Sequence, residues 1–248
     1  MSRGPGATPP APRDLPRALA RRVLLPTALL WVAVVGVGFA LAEVPENGLN
    51  ERLVELRVPA LDSVTAFVSG SASTMVVICT AIVVSALVWW TSRRWWLAIV
   101  PLVALALEAA VFLTSSLVVG RERPDVDQLD HAPPTSSFPS GHTGAATSVY
   151  LSFALLATRI RNGVLRVTVI VACAAMPVAV ALSRVYRGMH HPTDVLAGLV
   201  VGGTCALIAW TWMPERTGEA ASDAASDARS AEGSEATSAP ADGISATR

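Results

Sequence analysis

Two short stretches hold most of the side chains able to do acid–base or anion chemistry. The first runs Gly120-Arg121-Glu122-Arg123-Pro124-Asp125 and continues to Ser137-Phe138-Pro139-Ser140-Gly141-His142. The second reads Ser183-Arg184-Val185-Tyr186-Arg187-Gly188-Met189-His190-His191-Pro192-Thr193-Asp194. His142, His190 and His191 are three of the chain's four histidines. Several guanidinium groups, with the free amide hydrogens of a Ser-Gly turn at a helix start, make a cradle for a tetrahedral oxyanion such as phosphate. A neutral imidazole can attack phosphorus, and a protonated one can hand a proton to the leaving oxygen. A carboxylate close to the attacking ring would fix its tautomer and steady the positive charge that develops.

The elements that must position these groups are apolar. Of 248 residues, 52% are hydrophobic and only 15% charged, with a mean hydropathy of +0.49. That surplus exceeds what one soluble domain of this length buries. A bilayer core of about 30 Å needs about 20 apolar residues in a helix. The runs Val23–Ala42, Met75–Thr91, Trp95–Val119, Thr143–Ala157, Val164–Leu182 and Val195–Met213 therefore predict an all-α integral membrane bundle of six transmembrane helices. Thr143–Ala157 is the shortest and carries Ser and Thr, as a helix facing other helices does. Ala40-Leu41-Ala42 resembles a signal cleavage site, but the apolar run before it is longer than the ~7–15 residues of a signal peptide. The first span reads as an uncleaved anchor.

Between the first two spans, Leu53, Leu56, Leu61, Val64 and Phe67 recur at helical spacing, with Glu51, Arg52, Glu55 and Asp62 elsewhere on the wheel. The pattern predicts an amphipathic helix lying at the membrane interface. Residues 1–22 are rich in Pro, Ala and Arg and read as a disordered cytoplasmic N-terminus; 23–213 form the membrane domain; 214–248 read as a disordered acidic tail. Arginine gathers at the N-terminus, at Arg93-Arg94 and at Arg159, Arg161 and Arg166, so these segments are expected in the cytoplasm. Both termini are then cytoplasmic, and the two chemically rich stretches face outward. Nineteen arginines and no lysine balance 19 acidic residues, which leaves no electrostatic footprint for nucleic acid. Cys79, Cys173 and Cys205 sit in apolar runs and read as small buried hydrophobes.

Taken together, Arg123-Pro124, Pro139-Ser140-Gly141-His142, and Ser183-Arg184 followed after five residues by His190 and after three more by Asp194 resemble the three motifs of the type 2 phosphatidate phosphatase superfamily. That group contains membrane lipid phosphatases and soluble vanadium haloperoxidases. The resemblance implies that His190 is a nucleophile forming a phosphohistidine, Asp194 its hydrogen-bonding partner and His142 the general acid. It further implies that Arg123 and Arg184 bind the phosphoryl oxygens, helped by Ser140 and Gly141, with no cofactor and a lipid phosphate as substrate. The family's first motif opens with a Lys seven residues before the Arg of Arg-Pro, where this chain has Ser116. Arg121 or Arg187 could supply the missing charge.

Other readings stay open at this level. Asp125, Asp127, Asp130 and His131 could hold a divalent cation or form a solvated loop. Glu108, deep in the third span, is expected to face the bundle interior. A non-catalytic transporter or scaffold would explain the spans but not the motifs. A vanadate-dependent oxidant enzyme would use the same cradle, with His190 as the vanadium ligand.

Overall fold

A computed structural model describes residues 19–132 and 134–211. The expected disordered tail 214–248 and residues 1–18 lie outside the described residues. The described chain is entirely helical apart from turns and loops: α1 Ala20–Ala42, α2 Asn47–Glu55, α3 Pro59–Ser71, α4 Thr74–Ser92, α5 Trp95–Val119, α6 Gly141–Ala157, α7 Gly163–Tyr186 and α8 Pro192–Thr211. Five of these, α1, α4, α5, α7 and α8, are long and apolar enough to cross a membrane. Large apolar side chains such as Leu29, Val83, Leu117, Val164 and Leu182 point outward, as lipid-facing surfaces do.

The helices depart from the sequence expectation at three places that matter for the site. Residues 20–22, expected to be disordered, are already helical. The single amphipathic helix is two, because Pro59 starts a new helix and the residue before it, Val58, is extended. Finally, α7 runs through Tyr186, four residues beyond the expected end, so Ser183 and Arg184 belong to its last turn rather than to a loop.

The centre of the bundle is α6, packed against α5, α7 and α8. Its close neighbours are possible because the contact residues are small. A Cβ on Gly198 of α8 would lie 2.7 Å from the Ser140 carbonyl, and one on Gly202 would run into the Gly144 carbonyl. The buried hydroxyls of α6 are satisfied within the helix, Thr147 donating to the Thr143 carbonyl and Ser152 to that of Ser148. On the opposite flank, Gly141 lies against the ring of Phe112 and Gly144 against Glu108, which is buried as expected. The start of α6 is therefore level with Phe112, about two turns below the end of α5. Gly120, in the left-handed conformation with φ 65°, ends α5 and turns the chain back toward the start of α6.

Candidate active site

Three chain segments converge where α6 begins, α7 ends and α8 begins. Ser140, just before α6, donates its backbone N–H to the Asp194 carbonyl at 3.0 Å, and Ser137 donates its hydroxyl to the Asp194 carboxylate. The loop after α5 is pinned to the loop after α7 by Arg123, whose Nη1 donates to the Met189 carbonyl at 2.7 Å and Nη2 to the Thr135 carbonyl at 3.4 Å. Gly188, with φ 72°, permits this approach, since a Cβ there would lie 2.8 Å from the Asp127 carbonyl. Pro192 opens α8 and places Asp194 in its first turn, as the sequence leads one to expect.

His190 is buried, and its Nδ1 lies 2.8 Å from the carbonyl of Ser137. A carbonyl only accepts, so Nδ1 carries the hydrogen and Nε2 keeps its lone pair. The expected partner, Asp194, is not the group that makes this bond. Its nearer oxygen is 3.9 Å from Nδ1, because that oxygen already accepts from Ser137 and from the His191 N–H. Asp194 instead acts on His190 through charge. Burial, and then the cations of Arg184 and Arg123, hold the His190 imidazole well below its ordinary pKa of 6.5, so it is neutral at physiological pH. His142 stands at the first turn of α6, makes no hydrogen bond among the described residues, and is held down to about 4 by burial first and Arg184 next. The charges of Arg184 and Arg123 thus act on both imidazoles, which makes this cluster the candidate centre of the site.

The arginines divide sharply. Arg121, a candidate for binding phosphate, turns away from that centre: its Nη1 donates to the Asp194 carboxylate at 2.6 Å and to the Thr193 hydroxyl at 2.7 Å, and its Nη2 to the Val44 carbonyl at 3.3 Å. The reason is that Asp194 has no solvent exposure, so its charge needs a counter-ion within bonding distance. Arg184 donates from Nη1 to the Asp130 carboxylate at 2.7 Å and to the Ser69 hydroxyl at 2.8 Å, while its Nε–H is buried with no partner. Arg187 has an acceptor for every N–H: the Asp130 carboxylate, the Leu129 and Asp62 carbonyls and the Thr65 hydroxyl. It has no donor left for a ligand. Ser140 Oγ is hydrogen-bonded to Thr143 Oγ1 at 3.0 Å and buried, so its side chain ties the start of α6. Gly141 packs against Phe112 so closely that a Cβ there would lie 2.7 Å from the ring and make it shift.

Several residues that support the site are not among the motif residues. Asn50 of α2, fully buried, donates from Nδ2 to the carbonyls of His190 and Val185, each at 3.1 Å. Glu46 accepts from the Thr193 hydroxyl at 2.7 Å. Ser69, Asp130 and Ser137 complete the set, and of these only Ser137 lies near a recognisable motif. No group of three or more His, Cys, Asp or Glu among the described residues is arranged to hold a metal ion.

Comparison with known proteins fits this geometry. The PAP2 superfamily model matches residues 97–218, the part of the chain that contains every motif residue named above. Over those residues the chain is similar to the PAP2 superfamily. Among its relatives, the lipid A 1-phosphatase of Rhizobium etli is 39% identical over 72 residues, 29% of this chain and 27% of the relative. The decaprenylphosphoryl-5-phosphoribose phosphatase of Mycolicibacterium smegmatis is 39% identical over 109 residues, 43% of this chain and 53% of the relative. The chain thus spans about a quarter to about half the length of these curated relatives. The fold is shared with the transmembrane PAP2-type phosphatidylglycerolphosphate phosphatase from Bacillus subtilis. The TM-score is 0.67 at 21% identity, covering 75% of this chain and 94% of that one. It is shared also with Aquifex aeolicus LpxE, with a TM-score of 0.56 at 20% identity over 69% of this chain and 98% of that one. The glutamate, asparagine and Ser69 contributed by α1–α3 lie outside the region the family model covers.

Proposed function

We propose that this protein hydrolyses a phosphomonoester or diphosphate of a lipid by double displacement through His190, without a metal cofactor. The observation that carries the reading is the tautomer of His190: the Ser137 carbonyl holds the hydrogen on Nδ1, which leaves the Nε2 lone pair for phosphorus. Nε2 attacks, the bond from phosphorus to the leaving oxygen breaks, and His142 gives that oxygen its proton. Water then attacks the phosphohistidine with His142 as base, the P–N bond breaks, and phosphate leaves with His190 neutral again. Asp194, 3.9 Å from the ring, offsets the positive charge on the phosphohistidine. Arg184 and Arg123 neutralise the phosphoryl oxygens. His142 must be protonated to act, and the negative phosphoryl group beside it works against the two arginines that otherwise hold its pKa down.

A lipid substrate fits a recess at one end of an apolar bundle, where a headgroup can enter while its tails remain in the bilayer. The named activities of the relatives, on lipid A and on a decaprenyl phosphoribose, point the same way. In this reading α6 serves as a sixth span, α2 and α3 lie at the interface with Leu61, Val64 and Phe67 toward lipid, both termini are cytoplasmic and the site opens on the extracytoplasmic face. The test is phosphate release by purified protein from a panel of lipid phosphates, with and without chelator. Release from at least one lipid, unaffected by chelator and abolished in His190→Ala, is expected; full activity in His190→Ala, or no release from any lipid phosphate, overturns the proposal.

A further inference from the structure

Arg184 has two forks with which it can grip an oxyanion, and one of them is already committed. Both hydrogens of Nη1 go to protein acceptors, Asp130 Oδ2 at 2.7 Å and Ser69 Oγ at 2.8 Å. The side-on fork formed by Nε and Nη2 makes no hydrogen bond among the described residues, and its Nε–H is buried without any partner. A buried, unpaired guanidinium N–H is costly unless some ligand receives it. The planar fork matches two oxygens of one phosphoryl group.

Asp130 is what decides which fork is left over. Its Oδ2 accepts from Arg184 Nη1, Arg187 Nε at 2.9 Å and Ser69 Oγ at 3.1 Å, while Oδ1 accepts from Arg187 Nη2 at 2.6 Å. Arg187 in turn is tied to α3 through the Asp62 carbonyl and Thr65, and to the loop through the Leu129 carbonyl. The carboxylate is therefore held rigidly on three sides, and the arginine it holds has no freedom to present its end-on fork. We propose that Asp130, braced by Arg187 and Ser69, is a positioning residue that locks Arg184 with its Nε/Nη2 fork toward the phosphoryl group.

The proposal rests on the phosphatase reading above and assigns a job to a residue of the loop between α5 and α6. It also accounts for Arg187. Every donor of that side chain is engaged, so it does not stand in for the cation missing at Ser116 by touching substrate; it acts two bonds away, by fixing Asp130. A single well-aimed fork on Arg184 then does part of the work that an extra lysine would share.

The experiment measures the competitive inhibition constant for inorganic phosphate, with KM and kcat for the best lipid substrate, in Asp130→Asn, Asp130→Glu, Arg187→Lys and Ser69→Ala. Asp130→Asn is expected to weaken phosphate binding and raise KM by about ten-fold or more, with a smaller change in kcat. Arg187→Lys, which keeps charge but loses the fork, should do the same, and the double variant should be little worse than either alone. Ser69→Ala should shift phosphate binding in the same direction by a smaller factor, and it keeps the test alive if Asp130 variants fail to fold. Unchanged phosphate binding in folded Asp130→Asn and Ser69→Ala overturns the proposal. So does tighter binding in Asp130→Asn, which would make the carboxylate a competitor of phosphate. Wild-type protein that hydrolyses no lipid phosphate defeats the phosphatase reading instead, and the two failures are separate.

Discussion

The site contains two arginine–carboxylate pairs of the same chemistry and opposite design. Arg121 and Asp194 meet at 2.6 Å with side chains 1% and 0% exposed, and both oxygens of Asp194 are fully taken by Arg121, Ser137 and His191. Arg184 and Asp130 meet at 2.7 Å, yet the Asp130 side chain is 28% exposed, and Arg184 keeps both Nε and Nη2 free of protein acceptors where Arg121 keeps only Nε. The first pair, with both Nη atoms of Arg121 engaged, holds the starts of α6 and α8 together. The second is open on one edge, and an open edge of a buried cation is a binding surface. Residue type does not separate the two roles, since each pair is an arginine on an aspartate; what separates them is whether the partner carboxylate is reached by water.

The largest effect follows from breaking the closed pair. Arg121→Ala leaves the Asp194 charge buried without its counter-ion, a loss of about 3–5 kcal/mol of stability. It should show as a large fall in the thermal unfolding midpoint in detergent. Arg184→Ala, whose partner reaches water, should move the midpoint little and instead abolish phosphate inhibition. If both variants lose stability equally, the distinction between a closed and an open pair is wrong.

Next in size is the support that α2 gives to the nucleophile. Asn50→Ala removes two donors and leaves the His190 and Val185 carbonyls buried and unpaired, each such loss costing about 1–3 kcal/mol. Asn50→Asp should be worse, because it sets a carboxylate against two carbonyl oxygens. Phosphate release and unfolding midpoint together check the order wild type, then Ala, then Asp; an Asp variant as active as wild type would remove α2 from the site.

Which parts of this were legible in the sequence follows from range. The apolar runs gave five long helices nearly to the residue, because a span is a local property of composition. Pro192 and Asp194 were legible too, since motif spacing carries the helix start. Three things were not. The end of α7 was hidden because Ser183, Arg184 and Tyr186 are polar residues kept helical by burial in the site. The bond of Arg121 to Asp194 was hidden because charge alone does not reveal direction, and its direction is set by a carboxylate 73 positions away. Asn50, Ser69 and Asp130 act through contacts separated by 54 to 140 residues; no local pattern marks the first two, and the acidic string around Asp130 suggests a cation site rather than a partner for arginine.

The comparison sharpens further through pH. Burial first, and then Arg184 more than Arg123, hold the His142 pKa down from 6.5 to about 4, with Asp130 opposing both arginines. A group whose pKa is lowered by a cation regains affinity for its proton when that cation is removed. Arg184→Gln should therefore raise the His142 pKa, Arg123→Gln should raise it less, and Asp130→Asn should lower it, as read by histidine NMR titration in micelles. In the wild-type enzyme the protonated form of His142 is lost as pH rises, so kcat/KM should begin to fall at lower pH than kcat does, because substrate phosphate raises the same pKa once bound. A coincident fall of the two, or an Arg184→Gln shift in the acid direction, would break the link between the open arginine and the general acid.

The smallest effect tests the recess itself. A Cβ at Gly141 would lie 2.7 Å from the Phe112 ring, so Gly141→Ala overfills the contact between α5 and α6 just below His142. The ring is the end of a side chain that can swing, so the cost should be near the low end of overpacking, about 1 kcal/mol. Because the added methyl pushes α6 away from α5, it displaces the general acid while leaving Arg184 on α7 untouched, and kcat should fall with the phosphate inhibition constant unchanged. Phe112→Leu makes room, so the double variant should recover part of the lost kcat, whereas Phe112→Leu alone leaves a gap and gains nothing. If phosphate binding weakens along with kcat in Gly141→Ala, then acid and anion cradle move as one body, and the division between the α6 and α7 contributions fails.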